Sequence, residues 1–180
     1  MDPSYNNWGL AFGVLDTVSG TLSIESLDVI KAEKITAKQV RQNHKDIEVS
    51  HQLSKAATEA AEGVHAIFVE VPHGSQSARS SATYGVCVGV LGAMRAAGIQ
   101  FFEVSALEVK LAGAGNKTAT KVEMMDWAQQ AHPELVYPTR LQEGVICRIA
   151  SKAEHMADAV GAIHAGLKLD SFKQLMQLRA

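Results

Sequence analysis

The chain has 180 residues, 47% apolar and 20% charged, with a net charge of −2. That balance suits one globular domain with a sizeable core, and it excludes a low-complexity or disordered chain. No apolar run reaches the length of a membrane span, and the opening MDPSYNNWG lacks the basic and apolar regions of a secretory leader. Cys87 and Cys147 are the only cysteines and have no second pair at metal spacing, so a reducing, cytoplasmic location is the expectation. No chain-wide basic excess announces a nucleic-acid partner.

In chain order, Gly9–Asp16 and Thr21–Ile30 read as strands separated by a turn at Thr17–Gly20. Residues 31–45 carry Lys31, Lys34, Lys38, Arg41 and Lys45 against Glu33, a local balance of +4 at steps of three and four that predicts one basic helical face. The bland alternative is a solvated surface. Asp46–Glu62 reads as a helix closed by Gly63, and His65–Val71 as a buried strand ended by Pro72. Ser75 or Ser77 caps a long helix reaching Ala97, with Gly98 as its stop, and Ile99–Ser105 is a further strand. Thr118–Ala131 is an amphipathic helix, Pro133 and Pro138 bracket a loop, and Ser151–Leu167 is a last helix before a short amphipathic tail. Strands alternating with helices after an opening hairpin predict an α/β domain, a mixed sheet with helices packed on it.

Three acidic positions lie at element ends. Asp2 precedes the first turn. Glu70 stands among Phe68, Val69 and Val71, where a carboxylate is costly unless it is paired, metal-bound or at a solvated strand end. Asp158 lies one turn beyond His155 on the last helix, either as a functional pair or as the polar flank of an amphipathic surface. Hard oxygen donors with an imidazole suit Mg²⁺ or Mn²⁺, and the histidines give none of the spacings of a zinc site. Gly113 and Gly115 form a lone G-x-G near Lys117 and Lys121, without the spacing of a Walker loop.

These segments together resemble the RuvC family of Holliday-junction resolvases, especially its shorter phage-type members. D-P-S-Y-N-N-W-G-L-A looks like the family's opening aspartate stretch, and F-V-E-V-P-H-G-S-Q-S-A like its second acidic motif. V-K-L-A-G-A-G-N-K-T-A-T-K-V resembles the Gly/Lys stretch that touches DNA, and E-H-M-A-D-A-V-G-A-I-H the closing acidic motif. The resemblance implies an RNase H-like, mixed five-stranded sheet with helices on both faces, over residues 1–168, and a helical tail at 169–180. It implies a metal-dependent endonuclease acting on branched DNA, using two Mg²⁺ or Mn²⁺ ions held by Asp2, Glu70, His155 and Asp158. Lys110, Lys117 and Lys121 would grip phosphates, joined by Lys34, Lys38 and Arg41 of the basic stripe. His73 stands where some bacterial members carry an aromatic wedge against DNA.

Two further expectations follow from the same comparison. In the family several apolar residues precede the first aspartate, whereas here only Met1 does, which predicts an upstream start or a weakened sheet centre. The small-residue face of the long helix (Gly85, Gly89, Gly92, Ala93) packs either on the sheet or at a homodimer interface. Two other functions stay open at this point: a catalytically silent module of the same fold that binds nucleic acid or protein, and a phosphate-transfer enzyme of the related actin-like kinase fold.

Overall fold

The computed structural model describes residues 1–74, 77–142 and 145–178. Its first element is a hairpin of β1 (Trp8–Leu15) and β2 (Leu22–Ile30). Asp16 turns the chain by accepting N–H bonds from Val18 and Ser19, and Gly20 takes the left-handed φ of 73° that closes the turn. Strands β3 (Phe68–Glu70) and β4 (Phe102–Val104) pair in parallel, and β5 (Thr139–Gln142) and β6 (Val145–Arg148) make a second hairpin. The regular sheets are therefore two-stranded, which corrects the expected five-stranded sheet.

The order of a larger sheet survives in two residues. Asp2 exchanges both backbone hydrogen bonds with Gly9 of β1 at 2.9 Å, while Met1 donates to the Phe68 carbonyl and accepts from the Glu70 N–H. Met1–Asp2 thus lies between β1 and β3, bonded to both, and gives the order β2, β1, residues 1–2, β3, β4. Two residues do not make a ladder, so the centre is short. An apolar groove of about 1060 Å³, walled by Phe12, Ile67, Phe68, Ile163 and Phe172, opens beside Met1.

Helices α1 (Gln42–Ala60), α2 (Ala78–Ala96), α3 (Ala106–Ala112), α4 (Lys121–Ala131), α5 (Ala150–Gly166) and α6 (Asp170–Gln177) cover both faces. On one side Trp8, Leu10 and Val69 pack with Val49 and Leu53 of α1 and Cys87, Val90 and Met94 of α2. On the other, Ile24 meets Met125 and Ala128 of α4 and Met156, Ala157 and Val160 of α5. The predicted alternation of helices on both faces holds. No helix among the described residues is long and apolar enough to cross a membrane.

Local chemistry explains where the elements depart from expectation. The basic stripe is not a helical face: residues 31–41 are irregular, and Lys45 alone of the five cations lies on a helix. The Gln52 side chain accepts from the Glu33 N–H and donates to its carbonyl, and Ala32 is buried, so tertiary bonds hold this stretch extended against α1. Helix α3 lies in a stretch, 106–117, to which the sequence reading assigns no element. Its start is a reciprocal capping box between Ser105 and Glu108, and α4 begins with another between Thr120 and Glu123. Ser77 caps α2 by accepting from the Ser80 N–H; Ser75, the other expected cap, lies outside the described residues.

Helix α5 organises the domain. Nine of its residues are buried, and most are Ala or Gly, so its backbone approaches its neighbours closely. At Gly9 of β1 a Cβ would stand 2.0 Å from the His155 carbonyl oxygen, and at Gly166 one would stand 1.9 Å from the Phe68 ring. Phe172 of α6 packs edge-on against Phe68 and Phe102, with centroids 5.0 and 5.4 Å away, which fixes the tail helix to β3 and β4. Between α4 and α5, His132 and His164 share a hydrogen bond of 2.8 Å between their Nε2 atoms, against the edge of Trp127.

Two predictions follow from this packing. Gly9→Ala should destabilise the domain by about 2 kcal/mol or more, because the clash is with backbone. Gly74→Ala, at an open position with an ordinary φ, should be neutral or stabilising by up to ~1 kcal/mol. Urea denaturation of the two variants checks the contrast, and equal effects would remove the close approach as a constraint. Burial, then the charges of His132 and Lys168, lower the His164 pKa from its usual 6.5 to about 4. The unfolded chain then binds a proton that the folded chain refuses, so this contribution falls as pH drops from 6.5 towards 4, by on the order of 1–3 kcal/mol. His164→Gln should flatten that part of the thermal midpoint against pH, and an unchanged difference between the two curves would count against it.

Candidate active site

The two-residue sheet centre sets the site. Because Met1 lies opposite Val69 in parallel register, Asp2 stands beside Glu70, and both side chains point to the α5 face. Helix α5 crosses that face at Gly9 and brings His155 and, one turn on, Asp158. The His155 Nδ1 sits 2.5 Å from Asp2 Oδ2, a short charge-assisted contact between residues 153 apart in sequence. The Nε2 of the same ring lies 3.6 Å from Glu154, whose other oxygen pairs with Lys121 at 2.9 Å.

The electrostatics are those of crowded acids. Burial first, then the charges of Asp2 and Asp158, raise Glu70 from the usual carboxylate range to about 8, against the pull of the Met1 amino group and Lys110. Burial and Asp2 likewise raise Asp158 to about 7, although His155 and Lys110 oppose the rise. At His155 burial favours the neutral ring, but the bond and charge of Asp2, with Glu154 and Asp158, outweigh it and raise the pKa. Folded carboxylates with raised pKa values bind protons that the unfolded chain releases. These two therefore add stability as pH falls from about 8 towards the ordinary carboxylate range.

The four acid and imidazole residues expected in the site, Asp2, Glu70, His155 and Asp158, come together. They are not arranged as four ligands of one ion: His155 occupies an oxygen of Asp2, and no group of three or more His, Cys, Asp or Glu among the described residues stands ready to hold a metal. The donor chemistry nonetheless fits a hard divalent cation. Asp2 is buried and Glu70 and Asp158 are half-buried oxygen donors, close enough for the Asp2 charge to act on both, and a cation is the group that would relieve that repulsion.

The expected phosphate-binding residues divide into two sets. Lys110 is half-buried on α3 and its charge acts on both Glu70 and Asp158, while Lys121 reaches the site through Glu154. Lys117 is exposed in the turn after Gly115, where Asn116 accepts from the Thr118 N–H and hydroxyl. His73 is exposed just beyond Pro72. Lys34, Lys38 and Arg41 lie on the irregular segment before α1, with the Lys34 ammonium bonded to Asn6 Oδ1.

From sequence it stays open whether Glu154 or His155 serves the metal, and Cys87 and Tyr137 carry no signal as neighbours of the site. Glu154 couples Lys121 to His155, yet it looks like one more polar residue at the start of a helix. Cys87 is buried under the site, and burial together with the Asp2 charge pushes its thiol up to about 12. Tyr137 is buried and its hydroxyl has no partner among the described residues. Its pKa is about 12, raised by burial and, against Arg148, by Asp158 and Asp126.

No family model matches the chain, and no curated protein matches it. Solved structures do. The chain is 18% identical to a T. thermophilus RuvC in complex with a Holliday junction substrate, at a TM-score of 0.59, over 98% of this chain and 93% of that one. A second Thermus thermophilus RuvC structure gives 19% identity and a TM-score of 0.57 with the same coverage. At such identities the likeness speaks for architecture. The chain shares the α/β fold of those RuvC structures.

Proposed function

We propose that this protein is a metal-dependent endonuclease of the RuvC kind that hydrolyses phosphodiester bonds in branched DNA. The observation that carries the proposal is the convergence of Asp2, Glu70, Asp158 and His155, from three separate elements, on one face of a RuvC-like fold. Two Mg²⁺ or Mn²⁺ ions at Asp2, Glu70 and Asp158 would supply charge stabilisation at the phosphate and an acidified water. The chain's own residues do the rest. His155 holds Asp2 in place and can carry a proton at Nδ1; Glu154 keeps the ring oriented and ties Lys121 to the site. Lys110 and Lys121, with Lys117 on the adjoining turn, contact backbone phosphates and fix the register of the DNA without reading its sequence. Lys34, Lys38, Arg41 and His73 extend the contact surface, and preference for branches comes from shape and deformability.

A silent binding module of the same fold is the alternative, and the engagement of Asp2 by His155 favours it. Metal-dependent cutting separates the two. Glu70→Gln keeps the side chain's shape and removes the charge. It should lower cleavage of a four-way junction in Mn²⁺ by well over ~100-fold, leave junction binding in place, and raise the thermal midpoint without metal at alkaline pH. A variant that cuts as fast as the native chain would remove Glu70 from the reaction.

A homodimer completes the proposal. The face of α2 that meets the core is Cys87, Val90, Leu91 and Met94, so the small-residue face does not pack on the sheet. It is exposed, with Tyr84 and Val88 beside Gly85, Gly89 and Gly92, and nothing lies within 4 Å of where the glycines' Cβ atoms would be. Two copies joined there would present two sites to a two-fold junction. Gly89→Arg should yield a folded monomer by sedimentation, and an unchanged mass would place the interface elsewhere.

A further inference from the structure

Beside the carboxylate site, on the α1–α2 side of the sheet, a cleft of about 480 Å³ is lined by Tyr5, Asn6, Lys34, Gln42, Lys45 and Arg79. Three cations line it, and no carboxylate does. The acid next to them, Asp46 on α1, is already fully used. Arg79 holds both its oxygens at 2.7 and 2.8 Å, the Tyr5 hydroxyl donates at 2.6 Å, and the Gln42 amide donates at 2.9 Å. That network holds Asp46 ionised well below the usual carboxylate range, with the Arg79 bonds as the main cause. One positive charge is thereby cancelled, and two remain.

Those two are Lys34 and Lys45. The Lys34 ammonium is held over the cleft by Asn6 Oδ1, an acceptor that leaves its charge uncompensated, and Lys45 has no ion pair among those described. Arg79 keeps N–H donors beyond its two bonds to Asp46, and its guanidinium is stacked over Tyr5 at 5.3 Å, which fixes its plane. Helix α1 opens on the same cleft without a side-chain cap at Arg41. A pocket with fixed donors, excess positive charge and no unpaired carboxylate is built for an oxyanion. Its volume exceeds that of a single phosphate group.

We infer that this cleft, built from Lys34, Lys45, Arg79 and the start of α1, binds phosphodiester groups of a nucleic-acid strand passing the carboxylate site. The inference rests on the nucleic-acid reading above and adds a second grip to it, on the opposite side of Asp2 from Lys110 and Lys121. Chain reach supports the placement. Tyr5 is three residues from Asp2, at most about 11 Å along an extended chain, so the cleft adjoins the acids. Free phosphate shares the chemistry and is the competing occupant.

The test measures binding of a labelled four-way junction and a plain duplex to the full chain across a salt series. The variants are Lys34→Ala/Lys45→Ala and, as a control on exposed lysines elsewhere, Lys55→Ala/Lys173→Ala. The cleft variant should lose roughly tenfold in affinity, and its salt slope should fall by up to about 0.9 per lysine, while the control stays at the native value. Lys45→Arg should recover affinity in the Lys34 background. A native slope in the double variant overturns the inference. So does stabilisation of the native chain, and not of the variant, by inorganic phosphate when DNA binding is the same in both, which would make the cleft a free-oxyanion site. A lowered slope in a protein that cuts no DNA with any divalent metal would leave the cleft standing and remove the nuclease reading instead.

Discussion

The arrangement depends on how closely the α5 backbone comes to β1. At Gly9 there is no room for a methyl group between strand and helix. That contact sets the depth at which His155 meets Asp2, and the small residues along the rest of α5 continue the same close approach to β3 and α3. A larger side chain at any of these points would lift the helix off the sheet. The acids would then separate and gain water, and the burial and the Asp2 charge that together raise Glu70 and Asp158 would both relax. Packing and electrostatics are one constraint here: the helix is stabilised by burial of its apolar surface, and that burial forces like charges together in a poorly hydrated place.

Much of this was legible in the sequence. The opening hairpin, the parallel pair, the long helix from Ser77 and the last helix follow from period, turn residues and caps. Glu70 stood out because an acid inside an apolar run needs a reason. What failed did so where tertiary bonds override local pattern. The steps of three and four in residues 31–45 are those of a helix, yet Gln52 binds the backbone at Glu33 and holds the segment extended. Helix α3 was readable, because S-x-x-E at Ser105–Glu108 is a capping signal, but its seven residues before Gly113 are too few to show a helical period. The hairpin of β5 and β6 begins directly after Pro138, in a stretch whose residues carry no alternating pattern strong enough to mark strands.

The site was legible by residue and not by geometry. Asp2, Glu70, His155 and Asp158 were identifiable as types in order, but nothing in the sequence says that His155 closes on Asp2. That pairing depends on where α5 crosses β1. The role of Glu154 as a link from Lys121 to the imidazole is hidden for the same reason, since many helices begin with such residues. The cleft around Arg79 depends on Asp46 being saturated, a property of side-chain geometry with no one-dimensional signature.

The distance along the chain between Asp2 and His155 bears on how the protein comes into being. Asp2 leaves the ribosome well before its partner, which arrives only once α5 has been made, 153 positions later. Until then Asp2 has neither the imidazole nor Asp158 beside it, and Gly9 has nothing packed against it. A nascent chain can form the hairpin and the α1–α2 pair, which depend on shorter connections, while the acids remain apart. Assembly of the carboxylate cluster therefore waits for α5, and a chain cut short before that helix would keep the hairpin and the α1–α2 pair without the cluster.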